Sequence, residues 1–276
     1  MGLSVYNNVE ASNAHRVLMN TNNQLSKSME RLSSGLRINR AADDAAGLAV
    51  SEGMRSQIRG MNVATRNAQD GVSMVQVADG ALGSVGDMLQ RVRDLAVQAA
   101  NGTLTDAQRG NLDTEVQQLM TEIGKTGTDT EFNGLKIMAG SVATAASAVT
   151  LQVGANSSQS IAFTIGTVSV SDLGISGIAV GTAASATAAI ASLDAAISTI
   201  TTSRANLGAI QNRLESTISR LGMTSENLQA AESRIRDADM ASEMIQFTKN
   251  QILQQSGTAM LSQANSAPQS VLSLLR

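Results

Sequence analysis

The chain has 276 residues and 42% hydrophobic content, which is enough for a sizeable core in one or two domains. Its formal net charge of −3 provides no basic surface, so nucleic-acid binding is not expected. Because it has no cysteine and a single histidine, His15, we expect no disulfide framework, no transition-metal site and no Ser–His catalytic triad. These counts favour a structural protein over an enzyme, and they imply no cofactor.

The apolar residues are of the kind that fills seams between helices. The chain has no Trp, one Tyr and three Phe, so its core must rely on Leu, Ile, Val, Met and Ala. Its single proline, Pro268, leaves few barriers to long helices. The thirteen methionines are better explained as gap fillers in a seam, or between subunits, than as a promiscuous binding groove.

The N-terminal sequence lacks the features of a secretory leader. Residues 1–16 have neither a basic n-region nor an apolar h-region, so no Sec-type signal peptide is visible. The chain has no run of 18 apolar residues, and membrane insertion is not expected. If the protein leaves the cell, another route must carry it.

A first helix is predicted before Gly35, where the glycine provides a stop. One of its faces repeats at alternating spacings of three and four, through Ala11, Ala14, Leu18, Thr21, Leu25, Ser28 and Leu32. This stripe is weakly apolar and the other faces are rich in Asn, so an isolated helix would bury too little to offset its ordering entropy. The first helix therefore needs a partner.

A second helical block, one long helix or two, is predicted over residues 44–101. Asp43 and Asp44 lie at its start, and favourable charge at a helix start explains this pair better than acid–base catalysis does. The same alternating spacing continues through Ile58, Met61, Thr65, Ala68, Val72, Val75, Leu82, Val85, Leu89, Val92, Ala96 and Ala99. Thr105 or Asp106 can cap a third helix, which runs through Ile123.

The middle of the chain changes from helical to β-type patterns. Residues 149–153, 160–165 and 167–171 alternate or cluster β-formers around a polar turn. They predict a small hairpin or sheet, which is too small to be a domain.

Helix returns near Ala183 with a regular seven-residue repeat. Its heptad positions are Leu193, Ile200, Leu207, Leu214, Leu221, Leu228 and Ile235. Because the companion positions are only partly apolar, a multi-helix bundle is favoured over a two-stranded zipper. The chain closes on SVLSLLR, a free apolar end that is typical of an interaction site.

These elements predict a mainly α protein, an elongated multi-helix, coiled-coil-like rod with a small β-hairpin region. The N- and C-terminal helices are expected to pair, because each is marginal alone. Outer segments that become ordered only against each other, or against neighbours, favour polymerisation.

Six blocks of this sequence are similar to bacterial flagellin, in the same order along nearly the whole chain. They are residues 32–60, 67–85, 90–103, 132–140, 151–156 and 205–276. The resemblance implies a subunit of the extracellular flagellar filament used for swimming, exported unfolded through the flagellar type III route. It also implies an inner filament-core domain of residues 1–42 and 237–276. Residues 43–236 would form the outer domain, with a β-hairpin insertion at about 132–182 and no large variable domains.

The resemblance further implies partners. They are other copies of the chain in a helical homopolymer, an export chaperone that masks the C-terminal segment, and the flagellar cap and hook-junction proteins. The hypothesised polymer and chaperone interface consists of Leu18, Leu25, Leu32, Ile245, Ile252, Val271, Leu272 and Leu275.

The segment QRVRDLAVQ has two interpretations. Its residues alone favour an ordinary amphipathic helix with solvated charges. The resemblance implies a contact site for the host flagellin-sensing Toll-like receptor, formed by Gln90, Arg91, Leu95 and Glu115. Asp94 stands where receptor-activating members commonly have Glu.

Two other functional classes remain open on this sequence. A hook–filament junction protein shares similar terminal helices but should not form long filaments alone. An unrelated secreted coiled-coil adhesin or translocator should remain a rod or a small oligomer.

Overall fold

The computed structural model describes residues 7–140, 142 and 147–274, with side chains to residue 267. Its elements are α1 Val9–Ser34, α2 Ala45–Ala100, α3 Asp106–Asp129, β1 Glu131–Phe132, β2 Leu135–Lys136, β3 Val149–Gln152, β4 Ser160–Phe163, α4 Ala183–Arg236 and α5 Met240–Leu274. The mainly α prediction is confirmed, and the block predicted as one helix or two is the single helix α2.

The chain divides into two compact units. The first, called the terminal unit below, is Met1–Ser56 with Asn227–Arg276. The second, called the middle unit, is Gln57–Glu226. The terminal unit contains α1 and α5, whereas α3 and all four strands belong to the middle unit.

The predicted helix boundaries rest on local capping contacts. Gly35 ends α1 in the left-handed region with φ 72°, and its N–H donates to the carbonyl of Arg31. At the start of α2 the Asp44 carboxylate accepts a hydrogen bond from the Gly47 N–H at 2.9 Å. Thr105 caps α3 in a reciprocal capping box with Gln108. These three contacts confirm the stops and starts predicted from sequence.

The core of the middle unit is formed by α2, α3 and α4 together with buried side chains from residues 137–180. The first five heptad positions of α4, from Leu193 to Leu221, are buried, while Leu228 and Ile235 are half-buried in the terminal unit. By length and composition α4 could also cross a membrane, with a hydropathy of 1.4 over its most apolar window. Because its heptad face packs into the middle-unit core, we interpret it as a bundle helix.

The predicted β region contains two separate antiparallel hairpins. β1 pairs with β2 around the Asn133–Gly134 turn, and β3 pairs with β4 so that Val149 faces Phe163. The strand predicted at residues 167–171 is wrong. Ser169 begins a turn there, accepting a hydrogen bond from the N–H of Asp172, while the Val168 N–H donates to the carbonyl of Met138.

One close backbone approach in α3 provides a test of the middle-unit packing. A Cβ at Gly127 would overlap the carbonyl oxygen of Val168, whereas a Cβ at Gly110 in the same helix would meet nothing within 4 Å. Gly127→Ala should destabilise the protein by about 1–3 kcal/mol through overpacking. Gly110→Ala should stabilise it by about 0.5–1 kcal/mol through helix propensity. Denaturant unfolding followed by circular dichroism measures both, and equal effects would contradict the packing described.

Candidate subunit interface

The predicted pairing of the terminal helices is confirmed, because α1 packs along α5. The weakly apolar stripe of α1 forms its contact face: Ala11, Thr21 and Ser28 are buried, and Ala14, Leu18, Leu25 and Leu32 are half-buried. The facing side of α5 repeats at the same spacing through Phe247, Asn250, Gln254, Gly257, Leu261 and Ala264. We call these two faces the α1–α5 seam.

The α1–α5 seam is small and polar for a helix contact. Three of its most buried members are Thr21, Ser28 and Asn250, which are 6%, 5% and 6% exposed. Gly257 allows close approach, since a Cβ there would lie 3.2 Å from Leu18 Cδ1. Polar and small side chains contribute little apolar burial, so the helix pair has a weak hydrophobic driving force on its own.

The two chain segments that lead into and out of the terminal helices cross and bond to each other. We call this contact, between residues 35–38 and 235–238, the linker crossing. The Arg37 N–H donates to the Arg236 carbonyl at 2.7 Å, and the Ala238 N–H donates to the Gly35 carbonyl at 2.9 Å. Arg236 also donates to Glu52 of α2 at 2.9 Å. The α1–α5 pair is thereby anchored at one end by backbone hydrogen bonds.

Outside the seam, α5 carries exposed apolar side chains, and Ile245 and Ile252 lie on the side opposite the seam. We define the α5 outer face as Met240, Met244, Ile245, Ile252, Leu253 and Met260. Ile245 is 68% exposed and Ile252 is 57% exposed. Four of these residues, with Thr248 and Lys249, line a shallow groove of about 490 Å³. Lys249 is the only charged residue of that groove, so a partner that covers it must be largely apolar.

The interface residues predicted from sequence fall into three groups. Ile245 and Ile252 lie on the α5 outer face, where they are accessible. Leu18, Leu25 and Leu32 lie in the α1–α5 seam, where they hold two helices of one subunit together. Val271 and Leu272 belong to α5, but their side chains, like the whole of Leu275, lie outside the described part of the chain. Met240, Met244, Leu253 and Met260 were missed, although apolar residues around nearly the full circumference of α5 signal a second contact face.

The QRVRDLAVQ segment lies on α2 in the middle unit. Gln90 and Arg91 are exposed, and the Arg91 guanidinium donates to the Glu115 carboxylate of α3 at 2.6 and 2.9 Å. Leu95 is 1% exposed and packs in the core. The structure therefore pairs Arg91 with Glu115 at the surface, leaves the neighbouring Gln90 exposed and buries Leu95. Whether these residues contact a receptor stays a prediction.

Further Arg–Asp pairs join α2 to α4 on the surface of the middle unit. Arg93 donates to Asp194 at 2.6 Å and Arg204 donates to Asp79 at 2.8 Å. In each pair the hydrogen bond to the carboxylate raises the pKa of the guanidinium above its ordinary value. His15 is exposed on α1, and the described residues contain no group of three His, Cys, Asp or Glu side chains placed to hold a metal.

Comparison with known proteins identifies similarity along nearly the whole chain. The bacterial flagellin N-terminal helical region matches residues 5–143, and the bacterial flagellin C-terminal helical region matches residues 190–275. The chain is 50% identical to the flagellar filament 33 kDa core protein of Treponema phagedenis and 49% identical to a flagellin of Halalkalibacterium halodurans. Each alignment covers 99% of both chains.

A solved structure shares the fold at low sequence identity. It is a putative flagellar hook-associated protein from Vibrio parahaemolyticus, with a TM-score of 0.59 and 14% identity over 71% of this chain and 100% of that chain. At this identity the likeness concerns the fold alone.

The linker crossing should be sensitive to acid. The pKa of Glu52 lies below its ordinary value because Arg236, and then Arg55, donate hydrogen bonds to the carboxylate. A carboxyl whose pKa is lowered by folding contributes stability above its unfolded pKa, and the contribution is lost as the pH falls through the folded value. Hydrogen-exchange protection of the Ala238 amide, relative to an unstructured peptide at the same pH, should therefore fall below about pH 4.5.

Glu52→Gln should lower this protection at neutral pH and reduce its acid dependence, because the charge pair with Arg236 is gone. Glu122→Gln, which removes a surface carboxylate of α3 near Lys125, is the matched control and should leave the Ala238 amide unchanged. Equal protection in Glu52→Gln and the unsubstituted protein at pH 7 would contradict this role.

Proposed function

This chain belongs to the bacterial flagellin family, and we propose that it is a structural subunit that self-assembles into the extracellular flagellar filament used for swimming. One observation carries the proposal. The α5 helix packs one face on α1 and presents a second apolar face, with Ile245 and Ile252 more than half exposed, to solvent. A filament would bury this second face against another copy.

A second copy of the chain can cover the α5 outer face, because the chain also presents apolar surface elsewhere. Val9, Val17 and Met19 of α1 are also more than half exposed, so the terminal unit itself presents further apolar surface. A contact between two different patches of identical chains produces a closed ring when its rotation closes and an open helical polymer when it does not, and a filament is the second case. Burial of apolar side chains from both copies supplies the driving force for such a contact.

A hook–filament junction protein is the alternative that the sequence alone leaves open. The high identity to a filament core protein over 99% of both chains supports the filament subunit instead. We propose that the inner filament-core domain is residues 1–42 with 237–276, and that the outer domain is residues 43–236. The linker crossing supports a boundary near residues 42 and 236, whereas the compact units divide after Ser56 and after Glu226.

We propose export through the flagellar type III route, in the unfolded state. The weak α1–α5 seam supports this, because a helix pair with polar and small contacts unfolds at low cost. An export chaperone would cover the α5 outer face beforehand and so compete with the second copy for the same apolar surface. The flagellar cap and the hook-junction proteins would contact the subunit at the growing and basal ends of the filament.

The patch of Gln90, Arg91 and Glu115 supports a second proposal, recognition of the monomer by the host flagellin-sensing Toll-like receptor. All three residues are at least partly exposed, and the Arg91–Glu115 pair joins α2 to α3. Since Leu95 is buried, its substitution would measure core packing and is unsuited to this test.

The filament proposal predicts a large effect from two outer-face substitutions. Ile245→Ser with Ile252→Ser should raise the critical concentration for seeded elongation roughly 100-fold, because about 1.5 kcal/mol of burial is lost at each site and 1.4 kcal/mol is tenfold. Elongation is measured by sedimentation and by negative-stain electron microscopy after seeds are added. Met223→Ser is the control, because Met223 is 58% exposed but lies in the middle unit. Long filaments from the double variant at the usual concentration would refute the interface, and unsubstituted protein that stays monomeric with seeds would favour the junction protein.

The receptor proposal predicts that Arg91→Ala lowers the response of reporter cells that express the receptor by roughly tenfold, the loss expected for one charged contact in an interface. Arg204→Ala is the matched control, because Arg204 makes a similar surface pair with Asp79 and has a similar exposed fraction, 47% against 56% for Arg91. A reporter response that is unchanged by Arg91→Ala, or that is lowered equally by Arg91→Ala and Arg204→Ala, would refute the receptor proposal.

A further inference from the structure

The methionines of α5 differ from those of the middle-unit core in exposure. Met240, Met244 and Met260 are 47%, 50% and 64% exposed, and all three belong to the α5 outer face. In the middle unit Met138 is fully buried, and Met61, Met74 and Met120 are also buried. A solute as small as hydrogen peroxide therefore reaches the thioethers of α5 and is kept from those of the core.

Methionine is the only sulfur-containing residue available for oxidation, because the chain has no cysteine. A lone pair of the thioether sulfur attacks one peroxide oxygen to form an S–O bond, and the O–O bond breaks. The departing hydroxide then takes the proton of the new S–OH group to form water, which leaves the sulfoxide. The sulfur is oxidised by two electrons to the sulfoxide and the peroxide is reduced to water. An apolar, flexible side chain thereby becomes polar.

We propose that Met240, Met244 and Met260 are sites of oxidative modification through which peroxide blocks self-assembly. The inference rests on the proposed function, because the α5 outer face must be desolvated against a second copy for the sulfoxide to matter. Met244 lines the same groove as Ile245, Ile252 and Leu253, so an oxygen added there enters the most apolar part of the face. The Thr248 hydroxyl in that groove already donates to the Met244 carbonyl at 2.9 Å, which leaves its proton engaged.

A sulfoxide that is buried without a hydrogen-bond partner opposes association, and this sets the direction of the effect. Assembly should also protect the site, since a face covered by a second copy is closed to peroxide. Free subunits are therefore sensitive and assembled filaments resistant. Because methionine sulfoxide is reducible by methionine sulfoxide reductases, the block is reversible.

The test uses the full-length chain, as monomer and as seeded filament, treated with hydrogen peroxide that is then removed by catalase. In the monomer, peptide mass spectrometry should find Met244 and Met260 oxidised and Met138 still reduced. In filaments, Met244 and Met260 should be much less oxidised. The critical concentration of oxidised monomer should rise roughly tenfold, with unchanged helical content by circular dichroism. Methionine sulfoxide reductases A and B together should restore elongation.

A matched pair of variants assigns the effect to α5. Met240→Leu, Met244→Leu and Met260→Leu in one protein keep apolar side chains of similar volume. The critical concentration of this triple variant after peroxide treatment should equal that of its own untreated sample. Met223→Leu removes a methionine that is 58% exposed in the middle unit and should leave elongation as peroxide-sensitive as in the unsubstituted protein.

Oxidised monomer that elongates like untreated monomer would overturn the proposal. So would inhibition that persists in the triple variant, because the effect would then come from other methionines such as Met19 and Met29 of α1. Untreated monomer that fails to elongate on seeds would instead overturn the filament proposal and this inference with it, so the two failures are distinguishable.

Discussion

The α5 helix carries apolar side chains on two opposite faces, and this constraint organises the terminal unit. One face packs on α1, and the other, which includes Ile245 and Ile252, meets solvent in the described part of the chain. Removing such side chains from water is favourable in proportion to their area, so the isolated subunit keeps an unused driving force for association. The conclusions about assembly, chaperone competition and oxidation all depend on that second face.

The two units differ in how they are stabilised. In the middle unit, large side chains such as Leu82, Leu89 and Leu193 are fully buried in one hydrophobic cluster, to which α4 contributes its heptad residues Leu193, Ile200 and Leu207. In the terminal unit the α1–α5 seam buries Thr21, Ser28 and Asn250 instead, and the backbone bonds of the linker crossing anchor one end. A well-packed middle unit joined to a weakly packed helix pair suits a subunit whose terminal helices gain their stability from neighbours.

Much of the fold was predictable because local signals and global packing agree. Gly35, Asp44 and Thr105 mark helix ends through capping that depends on a few adjacent residues, and the α4 heptads mark a core face. The strand expected at residues 167–171 failed because an alternating pattern does not guarantee a partner strand, and a turn around Ser169 uses those polar groups locally. The resemblance implied Leu95 as a receptor contact, but the side chain is buried, because α2 packs on both α3 and α4 and its buried face includes Leu95. The outer-face methionines were missed because the repeat that marks the α1-facing side of α5 gives no information about a second exposed face.

The most direct test of the account is a helical reconstruction of the seeded filament by cryo-electron microscopy, at a resolution that shows side chains. The account predicts that Ile245 and Ile252, which are 68% and 57% exposed in the single chain, become buried against a neighbouring copy. It also predicts that the α1–α5 seam within each subunit is retained. A filament in which the α5 outer face remains open to solvent, with the subunits held together through the middle unit alone, would contradict it.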